Sequence, residues 1–172
     1  MGDNINAMRD YQAAILLDPD YGLAYYNSAN ILLLHRQYSQ AIDNLNTAID
    51  KCQMKDESTY QNRAIARAFN EDASGAFRDL CEAIKYDKYS THIYMNRALL
   101  LYKLENYKLA EKDLTTAISL SPNDALLFKL RADCRGKLEM KDIAIEDYKT
   151  FMDLKQRDEF RQNYSSFNMI KS

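Results

Sequence analysis

An all-α array of helical hairpins is the fold this sequence predicts, and three observations predict it. Residues recur with a period of 34: Tyr60, Tyr94 and Phe128 are followed four residues on by Ala64, Ala98 and Ala132, and sixteen on by Ala76, Ala110 and Ala144. Within each period the apolar positions follow i, i+4, i+7, which is one face of an α-helix. Four Gly and two Pro in 172 residues are too few for a turn-rich sandwich or barrel.

The elements follow in order once the residue three before each leading aromatic is called position 1. Residues 1–21 supply only the second half of a repeat, with Ala7, Tyr11, Ala14 and Pro19 in register and a helix expected over 3–17. With no partner helix before it, this segment reads as part of a longer array. The alternative is that its apolar edge (Met8, Tyr11 and Ile15) docks on another molecule, a second copy of the chain included. Residues 22–56 form the first full hairpin, in step after one inserted residue near Cys52–Asp56, with Tyr25, Ala29, Ala41, Leu45 and Ala48 in place. Three further hairpins span 57–90, 91–124 and 125–158. Turns are expected near Arg36–Gln37, Glu71–Asp72, Glu105–Asn106 and Glu139–Met140. Pro19 and Pro122 stand just past a second helix, where a helix cannot continue. In 159–172, Phe160, Tyr164 and Phe167 follow the helical spacing and predict a capping helix over the last hairpin.

Two registers explain why hairpins form. Position 8 is Ala in four repeats of four and position 20 is Ala in five of five, so paired helices can approach closely, while large residues at 4 and 24 fill the flanking space. Neither helix alone can bury its apolar stripe, so hairpins must stack. Positions 7 and 23 co-vary along the chain: Arg63 goes with Asp79, Arg97 with Asp113 and Arg131 with Asp147, while Ser28 goes with Asn44. An ion pair between the helices of each hairpin is expected, charged in three repeats and neutral in one.

These residues resemble the tetratricopeptide repeat (TPR) family, whose 34-residue helix–turn–helix has an aromatic at 4, small residues at 8 and 20, Ala at 27 and Pro at 32. The likeness covers about residues 1–158. Departures are Arg or Ser at position 7, Phe151 in place of Ala at 27, and Pro missing in three repeats. The resemblance implies a right-handed superhelix with four full hairpins, an N-terminal half repeat and a C-terminal cap. It also implies a concave groove lined by positions 2, 6, 9 and 13 of each first helix. The candidate groove residues are Tyr26, Asn27, Asn30, Gln61, Asn62, Ile65, Phe69, His92, Met95, Asn96, Leu99 and Tyr102. Asn27, Asn62 and Asn96 share position 6, and a row of carboxamides can bond the backbone of an extended peptide without reading its sequence. This is similar to the asparagine ladder of the O-GlcNAc transferase superhelix. The apolar neighbours would supply pockets for side chains.

Other functions are disfavoured residue by residue. TPR domains that clamp the C-terminal carboxylates of Hsp70 and Hsp90 use three cations, and the matching places here hold Tyr26, His92 and Asn96, so no such clamp is expected. His35 and His92 stand on different hairpins, no glycine-rich phosphate loop or HExxH occurs, and Cys52, Cys81 and Cys134 lack metal-ligand spacing. Neither enzyme activity, cofactor nor metal is expected. Lys129, Arg131, Arg135, Lys137 and Lys141 form a basic cluster diluted by acids, and 23 cationic against 25 anionic side chains argue against nucleic acid as partner. No apolar run approaches the length of a membrane span, and the opening residues carry no secretory pattern. The expected function is a non-catalytic scaffold that binds a protein or peptide in the cytosol. A ciliary association rests only on a looser likeness to large multi-TPR proteins.

Overall fold

The computed structural model describes residues 2–169, and side chains from 3 to 160. Among the described residues there are nine helices and no strand. They form two compact units. The first, up to Tyr89, contains α1 (Gly2–Leu17), α2 (Gly22–Leu34), α3 (Tyr38–Asp50), α4 (Glu57–Phe69) and α5 (Ala73–Tyr86). The second, from Ser90, contains α6 (Thr91–Lys103), α7 (Tyr107–Leu120), α8 (Ala125–Lys137) and α9 (Lys141–Met169). Within each unit every helix packs on its neighbours in sequence.

The small-residue register does what the spacing predicts. Ala29, Ala64, Ala98 and Ala132 at position 8 and Ala41, Ala76, Ala110 and Ala144 at position 20 are all buried. Leu45, Leu80 and Leu114 at position 24 are buried beside them. In the first unit Ala29, Leu32, Ala41, Leu45 and Ala66 form a core against which Met8, Tyr26, Leu33 and Ile42 pack.

Each hairpin turn is the same device. Arg36, Glu71, Glu105 and Glu139 adopt φ between 59° and 66°, the left-handed region. The next residue's N–H then reaches back five positions: Gln37 to the Leu32 carbonyl, Asp72 to Arg67, Asn106 to Leu101 and Met140 to Arg135, at 2.8–2.9 Å. Asp72 and Asn106 at once cap the following helix, accepting from the N–H groups of Gly75 and Leu109. The inserted residue of the first repeat is absorbed between α3 and α4, where Gln53 has φ 56° and Asp56 caps α4.

The predicted inter-helix pairs are present and bidentate. Arg63 donates through Nε and a terminal nitrogen to Asp79 (3.0 and 2.8 Å), Arg97 to Asp113 (2.7 and 2.7 Å), and Arg131 to Asp147 (2.9 and 2.7 Å). In the first hairpin Asn44 Nδ2 donates to Ser28 Oγ at 3.0 Å. Each guanidinium also lies over the aromatic at position 4 of its own helix, 5.5–5.8 Å from the centroids of Tyr60, Tyr94 and Phe128. A second arginine, one turn on, joins in alternate hairpins: Arg67 donates to Asp79 and Arg135 to Asp147, both at 2.8 Å.

One expectation is corrected. Residues 159–169 are no separate cap folding over the last hairpin but the continuation of α9, a single 29-residue helix. The stretch from Lys155 to Asn163 has neither Gly nor Pro to stop it. Phe160 is largely exposed, while the Tyr164 and Phe167 side chains lie outside the described ones. At the other end, the edge formed by Met8, Tyr11 and Ile15 is half-buried. Met8 packs on the core, and its sulfur receives the Ser28 hydroxyl at 3.1 Å. The exposed apolar residues of α1 are Ile5, Leu16 and Leu17.

Because a buried charge left without its partner is costly, Asp113→Ala is expected to lower the unfolding free energy by about 3 kcal/mol. Asp79→Ala costs more, since it orphans two guanidinium groups. Asn44→Ala removes only a neutral hydrogen bond and costs about 1 kcal/mol. Urea unfolding of the three variants checks this order, and equal losses would contradict it.

Candidate peptide-binding faces

The first helix of each hairpin turns positions 2, 6, 9 and 13 away from its partner helix, and these residues build one candidate face per unit. In the first unit the face belongs to α2 and α4. Asn62 Nδ2 donates to Asn30 Oδ1 at 2.7 Å and to the Tyr26 hydroxyl at 3.2 Å, which ties the two helices together. Asn27, Gln61 and Ile65 are half-buried. Phe69, two-thirds exposed, stacks on Tyr38 with centroids 5.1 Å apart and planes inclined by 12°.

In the second unit a hollow of about 160 Å³ opens between α6 and α8, floored by Leu114 of α7. Leu99 and Tyr102 line one side, and Leu130, Asp133 and Cys134 the other. The Tyr148 hydroxyl of α9 donates to Asp133 Oδ1. That bond, with burial second, pushes the Tyr148 phenol up to about 12. Burial, with Asp133 and Glu111 adding, pushes the Cys134 thiol up to about 11, so it stays protonated and apolar at neutral pH. Tyr102 meets Tyr107 edge to face at 5.1 Å. Among the described residues, no group of three His, Cys, Asp or Glu is placed to hold a metal ion, and no helix is long and apolar enough to cross a membrane.

Comparison with known proteins places this architecture. Residues 93–124, which are α6, α7 and the turn after them, match the tetratricopeptide repeat family. Human tetratricopeptide repeat protein 6 is 51% identical over 65 residues, covering 38% of this chain and 12% of that protein. The chain therefore corresponds to a small part of that relative's length. Among solved structures, MamA superposes with a TM-score of 0.87 at 16% identity, covering 91% of each chain. The crystal structure of YrrB, a TPR protein with an unusual peptide-binding site, gives 0.80 at 17%, covering 96% of this chain and 84% of that one. Residues 93–124 thus match a tetratricopeptide repeat, and the helical-hairpin fold of the chain is that of the TPR solenoids.

Against this TPR framework the sequence-derived candidates divide. Leu99 and Tyr102 are brought together at the hollow, and Met95 and Asn96 lie half-buried on the same helix. His92, at its start, is exposed. The three position-6 asparagines are not equivalent. Asn62 already donates to two neighbours, whereas the carboxamides of Asn27 and Asn96 have no hydrogen-bond partner among the described residues. The basic cluster is not a cationic patch, because Arg131 is held by Asp147, and Arg135 by Asp147 and Glu111. Sequence reasoning missed the Tyr148–Asp133 contact. Its one signal was a Tyr where the other full hairpins hold Leu at position 24.

A tyrosine held protonated makes stability fall as pH rises. The contribution from Tyr148 is intact below the ordinary value near 10 and is lost as pH climbs through about 12. Absorbance titration of tyrosinate is expected to show a late-ionising phenol that is missing in Tyr148→Phe. A difference spectrum without that late step would contradict the Asp133 contact.

Proposed function

We propose that this chain is a non-catalytic protein-interaction scaffold that holds an extended peptide segment against the first-helix faces of its hairpins. The hollow between α6 and α8 carries the reading. Its volume of about 160 Å³ is close to the roughly 150 Å³ of an apolar cavity that accepts a benzene ring, so a single Leu, Met or Phe side chain fits it. Its walls are apolar apart from Asp133, which offers one acceptor at the edge.

A bound peptide also needs partners for its backbone, and a carboxamide supplies both donor and acceptor. Asn96 stands three residues from Leu99 on the same helix, and Asn27 holds the same register in the first unit. Asn62 contributes its oxygen alone, since its amide hydrogens are engaged. YrrB, a TPR protein with a peptide-binding site, is a precedent for the fold. The ligand is a protein segment of mainly neutral or apolar character, not a chaperone carboxylate and not nucleic acid. Three free cysteines fit a reducing compartment, and a cytosolic location goes with this reading.

The test is binding of fluorescent peptides, each with one Leu, Met or Phe in an otherwise polar extended segment, measured by anisotropy. Leu99→Ala and Leu130→Ala are each expected to weaken binding about tenfold with helicity unchanged. Raising the salt concentration is expected to change it little. Peptides that bind both variants as tightly as the parent chain, or that let go at moderate salt, would overturn the proposal.

A further inference from the structure

The first hairpin lacks the arginines of the others, and a hollow lies where they would be. Positions 7, 11 and 23 hold Arg63, Arg67 and Asp79 in the second hairpin but Ser28, Leu32 and Asn44 in the first. There a hollow of about 290 Å³ is bordered by Met8, Gln12, Ser28, Leu32, Asp43 and Asn44.

Its border matches the acceptor set that arginines use elsewhere in the chain. Beyond the aspartate at 23, Arg63 donates to Asn46 at 2.9 Å and Arg131 to Thr115 at 3.3 Å, and both acceptors stand at position 25 of the preceding helix. Arg135 donates to Glu111, at position 21 of the preceding helix, at 2.8 Å. Ahead of the first hairpin those two places are Gln12 and Met8. Positions 21, 23 and 25 give their side chains to arginines in the later repeats, whereas here the short Ser28 bridges Met8 and Asn44 and the hollow opens beside them. Tyr25 stands at the register of the rings over which the other guanidinium groups lie.

The groups on offer suit a guanidinium. Asn44 spends Nδ2 on Ser28 and keeps its carbonyl oxygen, and Gln12 brings a second carboxamide. Asp43 is an exposed carboxylate with no ion pair among the described residues. We propose that this hollow is a receptor slot for one arginine side chain of a partner protein segment, entering beside Asp43 and taking the place the chain's own arginines take in later hairpins. A planar fork of donors matches acceptors spread over two helices, whereas an ammonium group presents a single point of charge.

The probe is N-acetylarginine amide, with N-acetyllysine amide as control, followed by NMR at the Met8 methyl and the Asn44 side-chain amide. Arginine amide is expected to shift both signals saturably and lysine amide to shift them far less. Asp43→Asn should weaken the response severalfold. The double variant Ser28→Arg with Asn44→Asp rebuilds the internal pair, so it should abolish the response and raise the thermal midpoint. Leu32→Arg, which copies Arg67 and Arg135, fills the same space and serves if the double variant folds poorly. No arginine response, an equal response to lysine, or a response that survives in the filled variants would each overturn the proposal. The peptide face of the second unit is untouched by these substitutions, so its binding assay succeeds or fails independently.

Discussion

A guanidinium laid over an aromatic ring and gripped along its edge by a carboxylate recurs in three hairpins, and the rest of each hairpin is arranged around it. The arginine reaches from the first helix to the aspartate of the second, so it fixes their separation. It does so across an interface where Ala is buried at positions 8 and 20 in every full hairpin, the first one, which lacks the arginine, included. Where the arginine also bonds the preceding helix, as Arg63 does with Asn46 and Arg131 with Thr115, one side chain joins neighbouring repeats. Such a charge is tolerable in a core because its donors are largely satisfied, and a half-satisfied guanidinium in the same place would work against folding.

The same constraint explains which surface the hairpins leave over. Positions 4, 7, 8 and 11 of each first helix are committed to the hairpin and to the arginine, which leaves 2, 6, 9 and 13 outside the hairpin interface. In the second unit that remainder is an apolar hollow with Asp133 steadied at its edge by Tyr148. In the first unit it is a polar seam closed by Asn62, Asn30 and Tyr26. One repeat design therefore yields two faces of different chemistry from substitutions at a few positions, without change to the helices beneath.

Most of the fold could be read from the sequence, because period, alanine register and paired arginine and aspartate are properties of spacing, and spacing is preserved when helices form. The ion pairs were legible for the same reason: co-variation at 7 and 23 is written along the chain. What could not be read were contacts decided by side-chain reach. Whether Asn62 keeps its amide for a ligand or gives it to Asn30 depends on the distance between α2 and α4, which residue type does not encode. Tyr148 and Asp133 lie fifteen residues apart and meet only because a phenol is long enough where Leu is not. The running-on of α9 was hidden differently: aromatic spacing at 160, 164 and 167 indicates a helix, but continuity lies in the absence of any stop signal before it.

The alternation of single and doubled arginines has a mechanical consequence. Arg67 and Arg135 each add a second grip on the aspartate of their hairpins, while the corresponding places in the first and third hold Leu32 and Leu101. Stiffness is therefore graded along the chain, in a rhythm twice as long as the repeat itself. Under tension such a series of hairpins is not expected to stretch evenly. It yields first at the lightly fastened hairpins, so that extension comes in steps while the doubly fastened ones keep their shape.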